Sequence, residues 1–94
     1  MEKPLEDIRL HIDRIDAIIM NALAERMSLM VEIARIKKDH RLPAVSEKRD
    51  KEIMEKVNQI AKQYNVDQSF ATEIYESIIN ESKRIISQEM KGKK

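Results

Sequence analysis

Three cationic side chains stand where apolar ones are expected. Leu23, Arg26, Met30, Ile33 and Lys37 follow one another at steps of three or four residues, the spacing that lines up one face of an α-helix. Arg26 and Lys37 therefore fall inside an apolar stripe, pointing the same way about 16 Å apart along the axis. Further on, Arg49 shares a stripe with Ile53 and Val57, and Asp50 lies beside it on the stripe of Met54, Val57 and Ala61. A cation facing a core is costly unless paired. One such residue alone would run to the rim or pair with Glu25, Glu47 or Asp50. Three of them, from two segments converging on one interior, point to an anionic ligand. Arg grips a carboxylate with parallel N–H donors and Lys adds a point charge. A small dicarboxylate or a phosphate would satisfy the set.

Helices must position these groups. Ile8, Ile12, Ile15, Ile19 and Leu23 begin the same stripe, and nothing breaks the pattern between Leu5 and about Asp39. Pro4 stands where a first-turn proline is tolerated, and Pro43 disfavours helix at Leu42. The result is a rod of roughly 50 Å. Ser46 can cap a second helix, with Glu47 suited to its positive end. That helix carries the stripe Arg49, Ile53, Val57, Ile60, Tyr64 and ends near Asn65. Asp67 caps a third helix, with Phe70, Ile74, Ile78, Ser82 and Ile85/Ile86 on its inward side. The tail Lys91-Gly92-Lys93-Lys94 is read as a frayed end.

The expected fold is all-α, a single domain over residues 1–94 with one long and two shorter helices. A compact chain of this size has a radius of gyration of about 12 Å, so the rod is too long for its own domain. The two shorter helices cannot cover both of its ends. The expected solution is an intertwined homodimer.

Composition narrows the function. One Gly, two Pro and 3% aromatic residues exclude a β-rich fold, and the lack of Cys excludes disulfides, a thiol nucleophile and thiolate metal sites. The charged fraction is 37%, yet 18 basic and 17 acidic residues cancel to +1, which argues against a strong nucleic-acid field. The longest uncharged run, Ala17 to Ala24, is far short of the roughly 20 residues of a membrane span. The amino terminus has no apolar signal core, so a cytoplasmic protein is expected.

Other candidates are weaker. His11 and His40 have no partner at metal-ligand spacing, so no metal is expected, and the six Met are read as core filler. There is no Gly-rich phosphate loop and no Ser-His-Asp arrangement. The basic run around Arg35, Lys38, Arg41 and Lys51 is interleaved with Asp39, Glu47 and Asp50 and lacks stacking aromatics, so a nucleic-acid partner is not expected.

Over residues 5 to 88 the sequence resembles the all-helical chorismate mutases, the AroQ class. The resemblance rests on Ile8-Arg9, Ile12-Asp13-Arg14-Ile15-Asp16, Leu23-Ala24-Glu25-Arg26 and Ile36-Lys37. It continues through Pro43 and Glu47-Lys48-Arg49-Asp50 to Ile78-Ile79-Asn80-Glu81-Ser82. It implies an intertwined dimer of three-helix chains that rearranges chorismate to prephenate, on the route to phenylalanine and tyrosine, with no cofactor. It also implies that Arg9 reaches into the partner's site to bind one carboxylate and that Arg26 binds the other. Lys37 would bind a carboxylate and the ether oxygen, and Arg49 would line the pocket.

Three positions depart from the family pattern. Ser46 stands where Asp is usual, and Asp50 replaces a Glu that contacts the substrate hydroxyl. Ser82 matches a polar position, but Ile86 stands where a glutamine commonly donates to the ether oxygen. Gln88 lies about 240° round from Ser82 and cannot easily replace it. A lost donor of this kind would cost roughly 3 kcal/mol in the transition state. Two other functions remain open: an isochorismate-pyruvate lyase on the same scaffold, and a non-catalytic helical dimerisation or regulatory module.

Overall fold

The computed structural model describes residues 2–92, which form three helices: α1 (Glu2–Asp39), α2 (Glu47–Gln63) and α3 (Gln68–Gly92). Their boundaries follow local chemistry. Pro4 lies in the first turn of α1, as expected. The Ser46 hydroxyl accepts the Arg49 N–H at 3.2 Å, and Asp67 Oδ2 accepts the Phe70 N–H at 2.9 Å, each satisfying a donor that the first turn leaves free. Lys91 and Gly92 belong to α3 rather than to a frayed tail; Lys93 and Lys94, the rest of that expectation, lie outside the described residues.

Two helix ends are closed without glycine. Leu42 N–H donates to Lys37 O at 2.8 Å and Arg41 N–H to Lys38 O at 3.2 Å. The same pair of bonds recurs from Val66 to Ala61 O and from Asn65 to Lys62 O. These are Schellman closures, and they place Arg41 (φ 58°) and Asn65 (φ 60°) in the left-handed region. Asn adopts that region at little cost; Arg does so less readily. Two prolines and one glycine therefore suffice for the whole chain.

α3 is the shared partner of the other two helices. It packs against α1 and against α2, whereas α1 and α2 leave a gap between them. Between α2 and α3 the core is Val57, Ala61 and Ala71, with Ile53 and Tyr75 packed on it. The other buried residues are Ile79, Ser82 and Ile86 of α3 and Ala34 of α1, and Ser82 meets Arg26 of α1. The inward faces of both short helices keep Ile53, Val57, Ser82 and Ile86 of the expected stripes and depart from the rest. On α2 the face runs through Val57 and Ala61, and Ile60 and Tyr64 are exposed. On α3 it runs through Ala71, Tyr75, Ile79, Ser82 and Ile86, while Phe70 is 56% and Ile74 40% exposed. Both helices carry two adjacent apolar stripes, and the small residues Ala61 and Ala71 admit the closer helix approach.

The molecule is elongated. Its radius of gyration is 17.2 Å and its extents are 60 × 29 × 15 Å. Residues 2–22 of α1 are exposed throughout, including Leu5, Ile8, Ile12, Ile15 and Ile19 of the leading stripe. No helix among the described residues is long and apolar enough to cross a membrane.

Candidate active site

The gap between α1 and α2, floored by α3, is a cavity of about 260 Å³. α1 contributes Arg26 and Lys37, two of the charges that interrupt its apolar stripe. α2 and the loop before it contribute Ser46, Arg49 and Asp50, and α3 contributes Ser82, Lys83 and Ile86. Met30, Ile33, Ile53 and Ile79 supply apolar wall between the charges. Four cations therefore share one pocket with a single carboxylate, Asp50. In surroundings partly shielded from water such a field acts strongly on a small anion.

The two α1 cations are held in place. Arg26 donates from a terminal guanidinium nitrogen to Ser82 Oγ, and that hydroxyl donates in turn to Ile78 O at 2.9 Å. Ser82 is thereby both the polar wall and a helix-packing serine, only 7% exposed. The remaining guanidinium donors of Arg26 have no protein partner among the described residues. Lys37 Nζ donates to Ala44 O at 2.8 Å. The backbone carbonyl of Lys37 receives the Leu42 N–H, so the helix closure and the side-chain bond bring the loop beneath one residue. A lysine has three donors, and two remain for a ligand.

α2 behaves differently. Arg49 was expected on a buried face, but its side chain is 59% exposed and lies 3.6 Å from Glu52 Oε1. It borders the cavity from the solvent side, one turn before the part of its stripe, Ile53 and Val57, that packs into the core. Asp50 pairs with Lys83, Oδ2 to Nζ, at 3.3 Å. Neither Glu25 nor Glu47 pairs with Arg26 or Lys37, which settles those options against simple charge neutralisation.

Ile86 is 7% exposed and lines the cavity. Gln88 points elsewhere, its Oε1 accepting from Arg84 at 3.1 Å. Arg84 also holds both carboxylate oxygens of Glu81 on the outer face, at 2.9 and 2.6 Å. Those hydrogen bonds, aided by the guanidinium charge, keep Glu81 below the usual carboxylate range. The wall facing the cavity at Ile86 therefore has no amide donor.

The structure thus gathers Arg26, Lys37, Ser46, Arg49, Asp50, Ser82 and Ile86 around one space. It does not gather Arg9, which is exposed on α1, about 25 Å along the axis from Arg26. Lys83 was missed from sequence because the α3 stripe was read through Ile78. Had it been read through Ile79, Lys83 would have stood between Ser82 and Ile86 on the cavity side.

The family described as chorismate mutase type II matches residues 8–86. This chain belongs to the chorismate mutase type II family. A chorismate mutase of Methanocaldococcus jannaschii is 33% identical over 94% of this chain and 89% of its own length. A 4-amino-4-deoxychorismate mutase of Streptomyces venezuelae is 27% identical over 89% of this chain and 82% of its own. A bifunctional chorismate mutase/prephenate dehydratase of Buchnera aphidicola is 32% identical over 76% of this chain but only 18% of its own length. Membership in the chorismate mutases makes the chain an isomerase-type enzyme with chorismate as substrate.

Proposed function

We propose that the chain rearranges chorismate to prephenate in a cytoplasmic route to phenylalanine and tyrosine, as a homodimer with two shared sites. The observation that carries the reading is that Arg26, Lys37, Arg49 and Lys83 line one pocket with a single carboxylate and apolar residues between them.

The rearrangement is unimolecular. One C–O bond breaks as one C–C bond forms, within the substrate, so the protein need only orient and stabilise. Arg26, fixed by Ser82, and Arg49 would take the carboxylates and hold the side chain over the ring, a near-attack geometry. Lys37, fixed by Ala44 O, would stabilise the negative charge that grows on the ether oxygen as its bond to the ring breaks. Both donors are in position before the reaction begins, so little reorganisation is needed. Asp50 Oδ1, free of the Lys83 pair, would accept from the ring substituent, and Ser46 would border the site after capping α2. Ile86 would contribute shape alone.

The dimer reading rests on surface. The accessible area is 7909 Å², against about 5,700 Å² for a compact monomer of 11.1 kDa. The excess, roughly 2,200 Å², is what an obligate interface covers, and the exposed stripe on residues 2–22 of α1 is apolar enough to form one. A second copy laid on that stripe would also give Arg9, too distant from its own pocket, a place in its partner's.

A second reading keeps the scaffold and changes one substituent. The Streptomyces relatives are named for a 4-amino substrate, and a carboxylate such as Asp50 accepts from an amine as from a hydroxyl.

Addition of the protein to chorismate, followed by ultraviolet absorbance and identification of the product, tests the main reading. Conversion to prephenate is expected. Persistence of chorismate at high protein concentration overturns it.

A further inference from the structure

Lys83 is the one cation of the pocket that neither the sequence stripes nor the family resemblance assigns. It stands three residues before Ile86, on the adjoining side of the helix, and lines the cavity with it. Its ammonium lies 3.3 Å from Asp50 Oδ2, and the two side chains are only 38% and 26% exposed. One ammonium donor is engaged on Asp50, and the other two have no protein partner among the described residues. Asp50 likewise keeps Oδ1 for a ligand. A donor and an acceptor are thus presented side by side at one place in the wall.

We propose that Lys83 is a specificity-determining residue, which with Asp50 selects a substrate bearing a ring hydroxyl over one bearing a ring ammonium. The inference rests on the proposed mutase function and on Asp50 meeting the ring substituent. A hydroxyl both donates and accepts, so it can donate to Asp50 Oδ1 while it accepts from Lys83 Nζ. An aliphatic amine is protonated at neutral pH and has no lone pair to offer. It would satisfy Asp50 but bring a second positive charge against Lys83. Without Lys83 the lone carboxylate would favour the ammonium. The lysine therefore works chiefly by penalising the wrong substituent.

The test compares chorismate with 4-amino-4-deoxychorismate as substrates. In the wild type, kcat/KM is expected to favour the hydroxyl compound by at least ~10-fold. In Lys83→Met the ratio should fall by about 10-fold, limited by the partial exposure of the pair. Lys83→Arg keeps a cationic donor and should retain most of the preference. A purely structural role for Lys83 would lower both substrates together and leave the ratio unchanged, and that result overturns the inference. Calorimetric binding of the two compounds reads the same ratio without turnover, so it still decides the matter if Lys83→Met turns over slowly. A wild-type chain that neither binds nor converts either compound overturns the mutase reading as well. A wild type that converts chorismate while its preference survives in Lys83→Met overturns this inference alone.

Discussion

The two halves of α1 carry the same apolar periodicity and meet opposite fates. In the second half, the stripe is partly covered: Leu23 and Met30 are half-buried, the adjacent Ala34 is buried, Ile33 keeps 36% of its surface, and Arg26 and Lys37 are each held by a specific oxygen. In the first half, Ile8, Ile12, Ile15 and Ile19 lie open, with exposures from 43% to 57%. The stripe is continuous, and only the supply of partners changes. α3 has 25 residues against the 38 of α1, so one chain can roof only part of its own rod. A helical stripe thus states that a face must be covered, but not by which surface. The charges embedded in the second half line a cavity, and the first half leaves an apolar face open.

Three experiments break or sharpen that contrast. The largest effect belongs to the covered half. Lys37→Ala should reduce chorismate turnover by about 1,000-fold, with circular dichroism and size-exclusion chromatography unchanged. Loss of helicity would instead assign Lys37 to the fold. In the uncovered half, Ile15→Asp should destabilise by about 3 kcal/mol and release monomers in sedimentation, because it places a charge in a covered interface. On a free surface the same change would fall within about 0.5 kcal/mol, and a neutral outcome would break the dimer reading. The smallest effect joins the two halves. Arg9→Ala and Arg26→Ala chains, each inactive alone, should regain about a quarter of the wild-type activity when mixed to equilibrium. Half of the random dimers would then be mixed, each with one of its two sites intact. No recovery on mixing would mean that Arg9 and Arg26 serve no common site.

Much of the fold was legible because it is local. The α1 pattern, the Ser46 and Asp67 caps and the stop before Pro43 all depend on neighbours within one or two turns, and each appears in the structure. The pocket was partly legible for the same reason: Arg26 and Lys37 betray themselves by interrupting a stripe. What sequence misjudged was the choice between two adjacent stripes. Ile60, Tyr64, Phe70 and Ile74 are the larger and more apolar residues, yet the small Ala61 and Ala71 face inward. Volume at a helix crossing, rather than hydrophobicity, decided between them. That same shift brought Lys83 to the cavity.

The sequence by itself determined that there are three helices, where the breaks between them fall, and that one of them carries more apolar face than its own chain can cover. These follow from 3.6 residues per turn and from capping, which act over a few residues. Only the tertiary structure decided that Ser82 would hold Arg26 and that Lys83 would pair with Asp50. Each of these joins residues from different helices or depends on where another helix lies, and no local periodicity records which helix faces which.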